Sequence, residues 1–209
     1  MPIIFIIDDD SSFLRAVARL LSVVGYEVKQ FTAAAEFLAQ HRDESRGCVL
    51  VDLRMPDMSG IELQAALAQT SNPLPVIFLT GHGDIPTSVH AIKSGAEDFL
   101  TKPVQKDALM AAVQRALARD EKMVVRRERQ RDLRQRFVSL TPRESEVLIH
   151  IIAGKLNKET ADDLQTTERT IKAHRASIME KMQAGSPAEL GSMAQELGLK
   201  AALGGVTQK

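Results

Sequence analysis

The first 120 residues alternate short apolar runs with segments in which apolar residues recur every three or four positions. Short apolar runs predict buried strands, and the three-and-four spacing predicts helices that cover them. Five strands alternating with five helices predict an α/β doubly wound domain, with a parallel sheet in the order 2-1-3-4-5. The predicted strands are 3–7, 26–31, 49–51, 76–79 and 99–100, and the predicted helices are 11–24, 32–40, 61–68, 86–93 and 106–117.

Four short helical patterns follow residue 140. The segment 141–144 (TPRE) supplies an N-cap, a proline at the first helical position and a glutamate at the third. Thr167 and Ser186 are further N-cap candidates, and Asn157 begins the second pattern. Four short helices within ~60 residues must pack on one another to bury their apolar faces, which predicts an all-α domain. We expect this domain to span residues 140–198, followed by a flexible tail at 199–209.

The segment 120–139 between the two domains is rich in charge and lacks Gly and Pro. Such a composition argues against a flexible linker, and we predict a helix that continues from the last helix of the first domain, residues 1–119. Its arginines can form a basic arm on DNA, or the segment can be a solvated spacer helix in which Glu128 and Asp132 balance them. The sequence leaves both interpretations open.

Charge divides unevenly along the chain. Residues 1–120 hold 11 Lys and Arg against 15 Asp and Glu, whereas residues 121–209 hold 16 against 12. An acidic first half and a basic second half fit two domains, of which the second faces a polyanion.

Two absences narrow the class of protein. The single cysteine, Cys48, excludes an intrachain disulfide and fits a reducing cytoplasm, and we expect it to be a small buried side chain. The apolar N-terminal run ends before Asp8, too early for a signal peptide, and no stretch approaches the ~18 apolar residues of a membrane span. We therefore expect a cytoplasmic protein without a membrane segment.

Acidic residues end two of the predicted strands. Asp8 and Asp9 follow the first strand, and Asp52 follows the third. In the predicted order these strands are neighbours, and open sheets of this kind bind ligands at the edge where their carboxyl ends meet. At ~5 Å and an effective dielectric of ~20, each pair of carboxylates would repel by roughly 3 kcal/mol, so a proton or a cation is expected there. Oxygen ligands without His or Cys favour Mg²⁺, and the alternative is a solvated acidic loop.

Two more polar residues follow strands at the same edge. Thr80 closes the fourth strand, and Lys102 follows the fifth, immediately before Pro103. A hydroxyl, an ammonium and a cation beside carboxylates can hold a phosphoryl group, with Asp52 as the nucleophile. For Lys102 the alternative is an ordinary solvated lysine. The bond to Pro103 can be cis or trans.

Four segments of the first domain resemble, in order, the motifs of bacterial receiver domains. They are 6–10 (IIDDD), 52–60 (DLRMPDMSG), 79–84 (LTGHGD) and 95–103 (GAEDFLTKP). The resemblance covers residues 1–119, and TGHGD is most similar to the FixJ branch of regulators. The roles that the resemblance implies are the phospho-acceptor Asp52, the Mg²⁺ ligands Asp8, Asp9, Asp52 and the backbone carbonyl of Arg54, the switch hydroxyl Thr80, the rotating aromatic Phe99 and the phosphate-pairing Lys102.

The third predicted helix of the second domain has a basic N-terminal face. Arg169, Lys172, His174 and Arg175 lie along it before an acidic residue, Glu180, appears. A basic helix that follows a short helix and a turn fits the recognition helix of a helix-turn-helix, and its capped N-terminus can also meet a phosphate. The alternative is a generic solvated helix.

Three segments of the second domain resemble the LuxR-type output domain and favour DNA binding. They are 140–144 (LTPRE), 157–161 (NKETA) and 170–175 (TIKAHR), and the resemblance covers about residues 137–197. The residues that we expect to contact DNA are Thr167, Arg169, Thr170, Lys172, Ala173, His174 and Arg175.

The second domain departs from the family pattern at four positions. Gln165 stands at a turn position usually held by Gly, where a positive φ would cost roughly 1–2 kcal/mol. Thr160 and Thr166 replace aliphatic residues, and Ala176 replaces a common polar contact. These departures bear on the turn geometry and on the target DNA sequence, and they leave the module itself intact.

Together the two domains predict a two-component response regulator of the FixJ/NarL type that acts as a transcription factor. We expect a sensor histidine kinase to phosphorylate Asp52, and Thr80 and Phe99 to report the added charge to the surface of the fourth helix and fifth strand. A homodimer would then bind promoter half-sites about one helical turn apart, with RNA polymerase as a further partner. Apart from its own phosphorylation and dephosphorylation, the protein is not expected to be an enzyme.

Two other functions are compatible with parts of the sequence. A phosphorylation-independent DNA-binding regulator would leave the acidic pocket idle, against which the intact set of pocket residues argues. A phosphohydrolase also forms an aspartyl phosphate, but it needs a second catalytic acid near the nucleophile. Asp57 is the nearby candidate, and the predicted turn points it toward solvent.

Overall fold

The computed structural model describes residues 1–42, 44–81 and 95–199. The chain divides into two compact units, Met1–Val124 and Val125–Lys209. The helix predicted over 86–93 lies outside the described residues, as does the predicted tail beyond residue 199.

The first unit contains a five-stranded parallel sheet in the order β2-β1-β3-β4-β5, which confirms the predicted fold. Its strands are β1 (Ile3–Ile7), β2 (Glu27–Phe31), β3 (Gly47–Asp52), β4 (Val76–Thr80) and β5 (Asp98–Thr101). Its described helices are α1 (Ser11–Val23), α2 (Ala34–Gln40), α3 (Gly60–Ala68) and the start of α4 (Lys106–Val138).

Both faces of the sheet are buried along β1, β3 and β4, where alternate residues point to opposite sides. Ile7, Val51 and Phe78 belong to one core cluster, which α2 and α3 cover. Ile6 and Leu50 belong to the other, which α1 and α4 cover. Strands covered on both faces read as continuous apolar runs, which is why the sequence pattern identified these three.

Cys48 lies inside the second of these clusters, as expected for a small buried side chain. Burial raises the pKa of its thiol to about 12. The reactive thiolate is therefore suppressed near neutral pH.

The helix α4 is continuous from Lys106 to Val138 and includes the 120–139 segment for which the sequence predicts a helix. The division between the two units falls within it. Near that division the carboxylate of Asp120, which is only 1% exposed, accepts a hydrogen bond from the backbone N–H of Gly47. This contact holds the helix against the start of β3.

The second unit is helical, as the capping signals predict. It contains α5 (Pro142–Ile152), α6 (Asn157–Asp163), α7 (Glu168–Met182) and α8 (Pro187–Glu196). Thr141, Thr167 and Ser186 each cap a helix by accepting a backbone hydrogen bond. One shared core buries the apolar faces of all these helices, together with Leu133 from α4. Among the described helices, none combines the length and the apolar character that crossing a membrane would require.

Candidate functional site

Two carboxylates and an ammonium meet at the carboxyl edge of the sheet in the first unit. Lys102 Nζ lies 2.5 Å from Asp8 Oδ2 and 2.9 Å from Asp52 Oδ1. Asp8 is completely buried, Asp52 is 7% exposed, and the Lys102 side chain is 20% exposed. Because β1 and β3 are neighbours in the sheet, Asp8 and Asp52 lie side by side. Lys102, the residue that follows β5, places its ammonium between them.

The backbone fixes the orientation of both carboxylates. Asp8 Oδ1 accepts from the N–H of Asp10 at 3.0 Å, and Asp52 Oδ2 accepts from the N–H of Arg54 at 3.0 Å. Each acid therefore offers one oxygen to the backbone and the other to the ammonium. Gly60 allows α3 to start against this strand end, because a Cβ there would lie 2.5 Å from the backbone oxygen of Asp52.

One ammonium does not neutralise two buried carboxylates. Burial is the largest influence on Asp8 and raises its pKa above the ordinary value, although the hydrogen bond from Lys102 opposes the change. Burial alone would lower the pKa of Lys102, but its hydrogen bonds to Asp8 and Asp52 outweigh burial and raise that pKa. A buried excess of negative charge lined by oxygen atoms suits a further hard cation.

The remaining predicted pocket residues lie around this ion cluster. Thr80 ends β4 and is buried, and its carbonyl accepts from the N–H of Lys102 at 2.6 Å. Phe99 is half-buried, with its ring centroid 6.4 Å from that of Phe78. The peptide bond between Lys102 and Pro103 is cis.

Asp9 is solvent-exposed, in contrast to Asp8 and Asp52. Within residues 1–42, 44–81 and 95–199, no group of three His, Cys, Asp or Glu side chains is arranged as a metal site. Asp57 is also exposed and adopts a positive φ of 65°, so the turn after β3 leaves it in solvent, as predicted.

Two residues at this site were not recognised from the sequence. Asp10 stands in the acidic run 8–10, and its carboxylate caps α1 by accepting from the N–H groups of Ser12 and Phe13. An aspartate just before a helical pattern is the signal that could have identified it. Phe13 has the apolar spacing of a core position in α1, yet its ring centroid lies 4.2 Å from Lys102 Nζ. No sequence pattern distinguishes such a ring from a core residue.

In the second unit, α7 presents the basic residues that the sequence predicts. Arg169, Lys172 and Ala173 are exposed, and His174 and Arg175 are half-buried. At its start, Thr167 Oγ1 accepts from the N–H of Thr170 at 3.2 Å, and the two hydroxyls lie 2.9 Å apart.

The turn between α6 and α7 contains the predicted backbone strain. Gln165 has a φ of +50°, which only glycine adopts without cost. Thr166 follows it, and its N–H donates to the carbonyl of Ala161. Thr160 is completely buried, and its hydroxyl donates to the carbonyl of Leu156 at 2.9 Å. The hydroxyl is therefore accommodated within its own helix, and Ala176 is exposed.

Two family models match this chain. The response regulator receiver domain matches residues 4–114, and the LuxR family of bacterial regulatory proteins matches residues 138–194. The chain belongs to the response regulators that join these two domains. This two-domain response regulator is a two-component transcription factor and not a classical enzyme. Its receiver domain implies a histidine kinase partner, and its LuxR-type domain implies DNA binding.

Relatives of this response regulator align with it along most of both chains. The tetrathionate response regulatory protein TtrR of Salmonella typhimurium is 45% identical over 190 residues, covering 91% of this chain and 90% of that protein. The transcriptional regulatory protein FixJ of Bradyrhizobium diazoefficiens is 39% identical over 196 residues, covering 94% and 96%. The structure of the response regulator StyR is similar at a TM-score of 0.80 and 42% identity, covering 93% of this chain and 98% of that one.

Proposed function

We propose that a sensor histidine kinase switches this response regulator by transferring a phosphoryl group to Asp52. The observation that carries the proposal is the 2.9 Å contact between Asp52 and Lys102, at an edge where Asp52 remains partly accessible. An Asp52 oxygen attacks phosphorus, the P–N bond to the kinase histidine breaks, and the electron pair remains on the imidazole. Lys102 pairs with a phosphoryl oxygen, and the Thr80 hydroxyl donates to another.

Mg²⁺ is the cofactor that fits this chemistry. The donors would be the carboxylates of Asp8, Asp9 and Asp52 and the backbone carbonyl of Arg54, all of them oxygen atoms. The uncompensated negative charge between Asp8 and Asp52 supports this assignment, whereas the exposed Asp9 is its weakest member. When bound, the ion neutralises charge on the phosphoryl oxygens.

Phosphorylation reaches the rest of the receiver through Thr80 and Phe99. The phosphoryl group adds a charge of roughly −1.5 to −2. The Thr80 hydroxyl turns toward it to donate a hydrogen bond. Phe99, half-buried beside Phe78, moves into the space that Thr80 leaves and changes the surface at β5. To shift the ratio of active to inactive molecules from about 1:99 to about 99:1, the active state must be stabilised by ~5.5 kcal/mol. The Thr80 hydrogen bond and a buried dimer surface supply this together.

The switched state binds promoter DNA as a homodimer. Helix α7 enters the major groove, and its N-cap Thr167 meets the backbone. The contact residues are Thr167, Arg169, Thr170, Lys172, Ala173, His174 and Arg175. In this arrangement the receiver spans 1–119, a helical linker spans 120–139, the output domain spans 140–198 and a tail follows. The regulator acts on RNA polymerase in the cytoplasm.

An experiment with matched variants tests this function. The full chain, D52N and D57N are each incubated with Mg²⁺ and either acetyl phosphate or beryllofluoride. Phosphorylation is located by mass spectrometry, oligomeric state is measured by light scattering, and DNA affinity is measured on promoter fragments selected from genomic DNA. We expect wild type and D57N to gain a phosphoryl group, dimerise and bind DNA more tightly, and D52N to do none of these.

Two results would contradict the proposal. Phosphorylation of D52N at the wild-type rate would assign another acceptor. A wild-type protein whose DNA affinity and size are the same with and without phosphodonor would instead be a phosphorylation-independent regulator.

A further inference from the structure

The ammonium of Lys102 has an aromatic neighbour in addition to its two carboxylates. The ring of Phe13, in the first turn of α1, lies over Nζ at 4.2 Å from its centroid. A cation at this distance from a ring face is attracted by the negative face of the ring quadrupole. Phe13, Lys102 and Pro103 also line one groove between α1 and the beginning of α4, so the ring forms part of the wall beside the pocket.

The position of this ring is fixed by the pocket itself through a closed circuit of four residues. The N–H of Asp10 donates to Asp8 Oδ1 at 3.0 Å, and Asp10 Oδ1 accepts from the N–H of Phe13 at 3.2 Å. The Phe13 ring contacts Lys102, and Lys102 donates back to Asp8 at 2.5 Å. Each residue in this circuit restricts the next one, so the aromatic contact is built into the geometry of the acidic loop.

A lysine needs such restriction more than most phosphate-binding groups do. Its ammonium is a strongly hydrated charge on a flexible stem of four methylenes, and it has no fixed donor geometry of its own. The carboxylates of Asp8 and Asp52 attract it from one side. The ring of Phe13 occupies another side, where it displaces water and favours the charge.

We propose that Phe13 is a positioning residue for phosphoryl transfer, and that its ring face holds the Lys102 ammonium where Asp52 receives the phosphoryl group. This inference rests on the proposed function of Asp52. An aliphatic side chain of similar size would fill the same volume but would lack the quadrupole. The ring face, and not the bulk of the side chain, is therefore the feature that sets the rate.

Three variants separate the ring face from simple packing. F13L keeps an apolar side chain without a ring, F13Y keeps the ring face, and L20A removes apolar volume from the same groove two helical turns beyond Phe13. The rate of Asp52 phosphorylation is measured with acetyl phosphate and Mg²⁺ on each full chain, at a temperature where thermal melting shows all of them folded. We expect F13L to be slower by roughly 2- to 30-fold, which is the rate ratio for ~0.5–2 kcal/mol of cation–π attraction. F13Y and L20A should remain within about twofold of wild type.

A second readout needs neither metal nor phosphodonor. In the metal-free protein, the Phe13 ring should shift the NMR signals of the Lys102 ε-protons upfield. F13L should lose this shift and F13Y should retain it. D10A, which removes the cap that fixes Phe13, should reduce the shift, and D10N should preserve it because asparagine is an equally good N-cap.

The outcomes distinguish this inference from the function on which it rests. If wild type is phosphorylated on Asp52 and F13L matches F13Y in rate, Phe13 is only a packing residue. An effect of L20A as large as that of F13L leads to the same conclusion. If wild type is not phosphorylated on Asp52 at all, the proposed function fails and the positioning role fails with it.

Discussion

The ammonium of Lys181 lies 2.7 Å from Glu144 Oε2 and joins α7 to the first turn of α5. Glu144 also accepts from the Ser177 hydroxyl at 2.7 Å and from the N–H of Thr141 at 2.7 Å. The Glu144 side chain is only 6% exposed, so these contacts are largely shielded from water. One carboxylate thus completes a capping box and fixes the candidate recognition helix.

Protonation of Glu144 should destabilise the second unit in acid. The hydrogen bond from Lys181, with those from Ser177 and Thr141, lowers the pKa of Glu144 from 4.5 to about 2. Because the folded pKa is depressed, the stabilisation is fully present above about pH 4.5 and is lost as the pH falls toward about 2. It amounts to about 3 kcal/mol at most.

Urea unfolding of wild type and E144Q across this pH range measures the effect. The free energy of unfolding should differ most at neutral pH, and the two curves should converge near pH 2. E146Q is a matched control, because Glu146 pairs with Arg143 on the surface and should give a small, nearly constant difference. A gap between wild type and E144Q that does not narrow in acid would contradict the assignment.

Replacement of Gln165 by glycine should stabilise the protein. Gln165 and Gln183 both have a positive φ, 50° and 54°, so Q165G and Q183G should each relieve strain of roughly 1 kcal/mol. Gln69 ends α3 in the right-handed region at a φ of −88°, and Q69G should give no gain because it only adds freedom to the unfolded chain. Thermal melting of the three variants checks this. A loss of stability in Q165G would show that the side chain contributes more than its strain costs.

An added methyl group at Gly60 should disturb the acidic pocket. The Cβ of G60A would lie 2.5 Å from the backbone oxygen of Asp52 and 3.0 Å from the Phe78 ring, so the end of β3 must shift. We expect a stability loss of roughly 1–3 kcal/mol and slower phosphorylation of Asp52. G191A is a control within α8, because its new Cβ has no atom within 4 Å. Its free energy of unfolding should rise by up to about 1 kcal/mol. Normal stability and phosphorylation in G60A would contradict the predicted clash.

Loss of Arg169 or Lys172 should weaken DNA binding and its salt dependence. Both side chains are exposed on α7, where each can neutralise a phosphate. For R169A and K172A, the slope of log affinity against log salt should fall by about 1 on a duplex of random sequence. K122A removes an exposed lysine from α4 and should keep the wild-type slope. An unchanged slope in both α7 variants would place the DNA contact elsewhere.

The sequence by itself determined the sheet, its strand order and the starts of several helices. Apolar runs and alternating helices limit the topology to few choices, and capping signals such as Thr141 with Glu144 act within one turn of chain. The same rules predicted that Asp8 and Asp52 would meet at one edge. The positive φ of Gln165 was predictable only through the resemblance to the LuxR-type domain, in which this turn position is usually Gly.

Only the tertiary structure decided which side chains face one another at the carboxyl edge of the sheet. It buried Asp8 and left its neighbour Asp9 exposed, it placed Lys102 between Asp8 and Asp52, and it brought the Phe13 ring over that ammonium. The second role of Glu144, as the partner of Lys181, likewise spans 37 positions in the chain. Periodicity and capping describe local backbone geometry, whereas contacts between distant side chains depend on how whole elements pack.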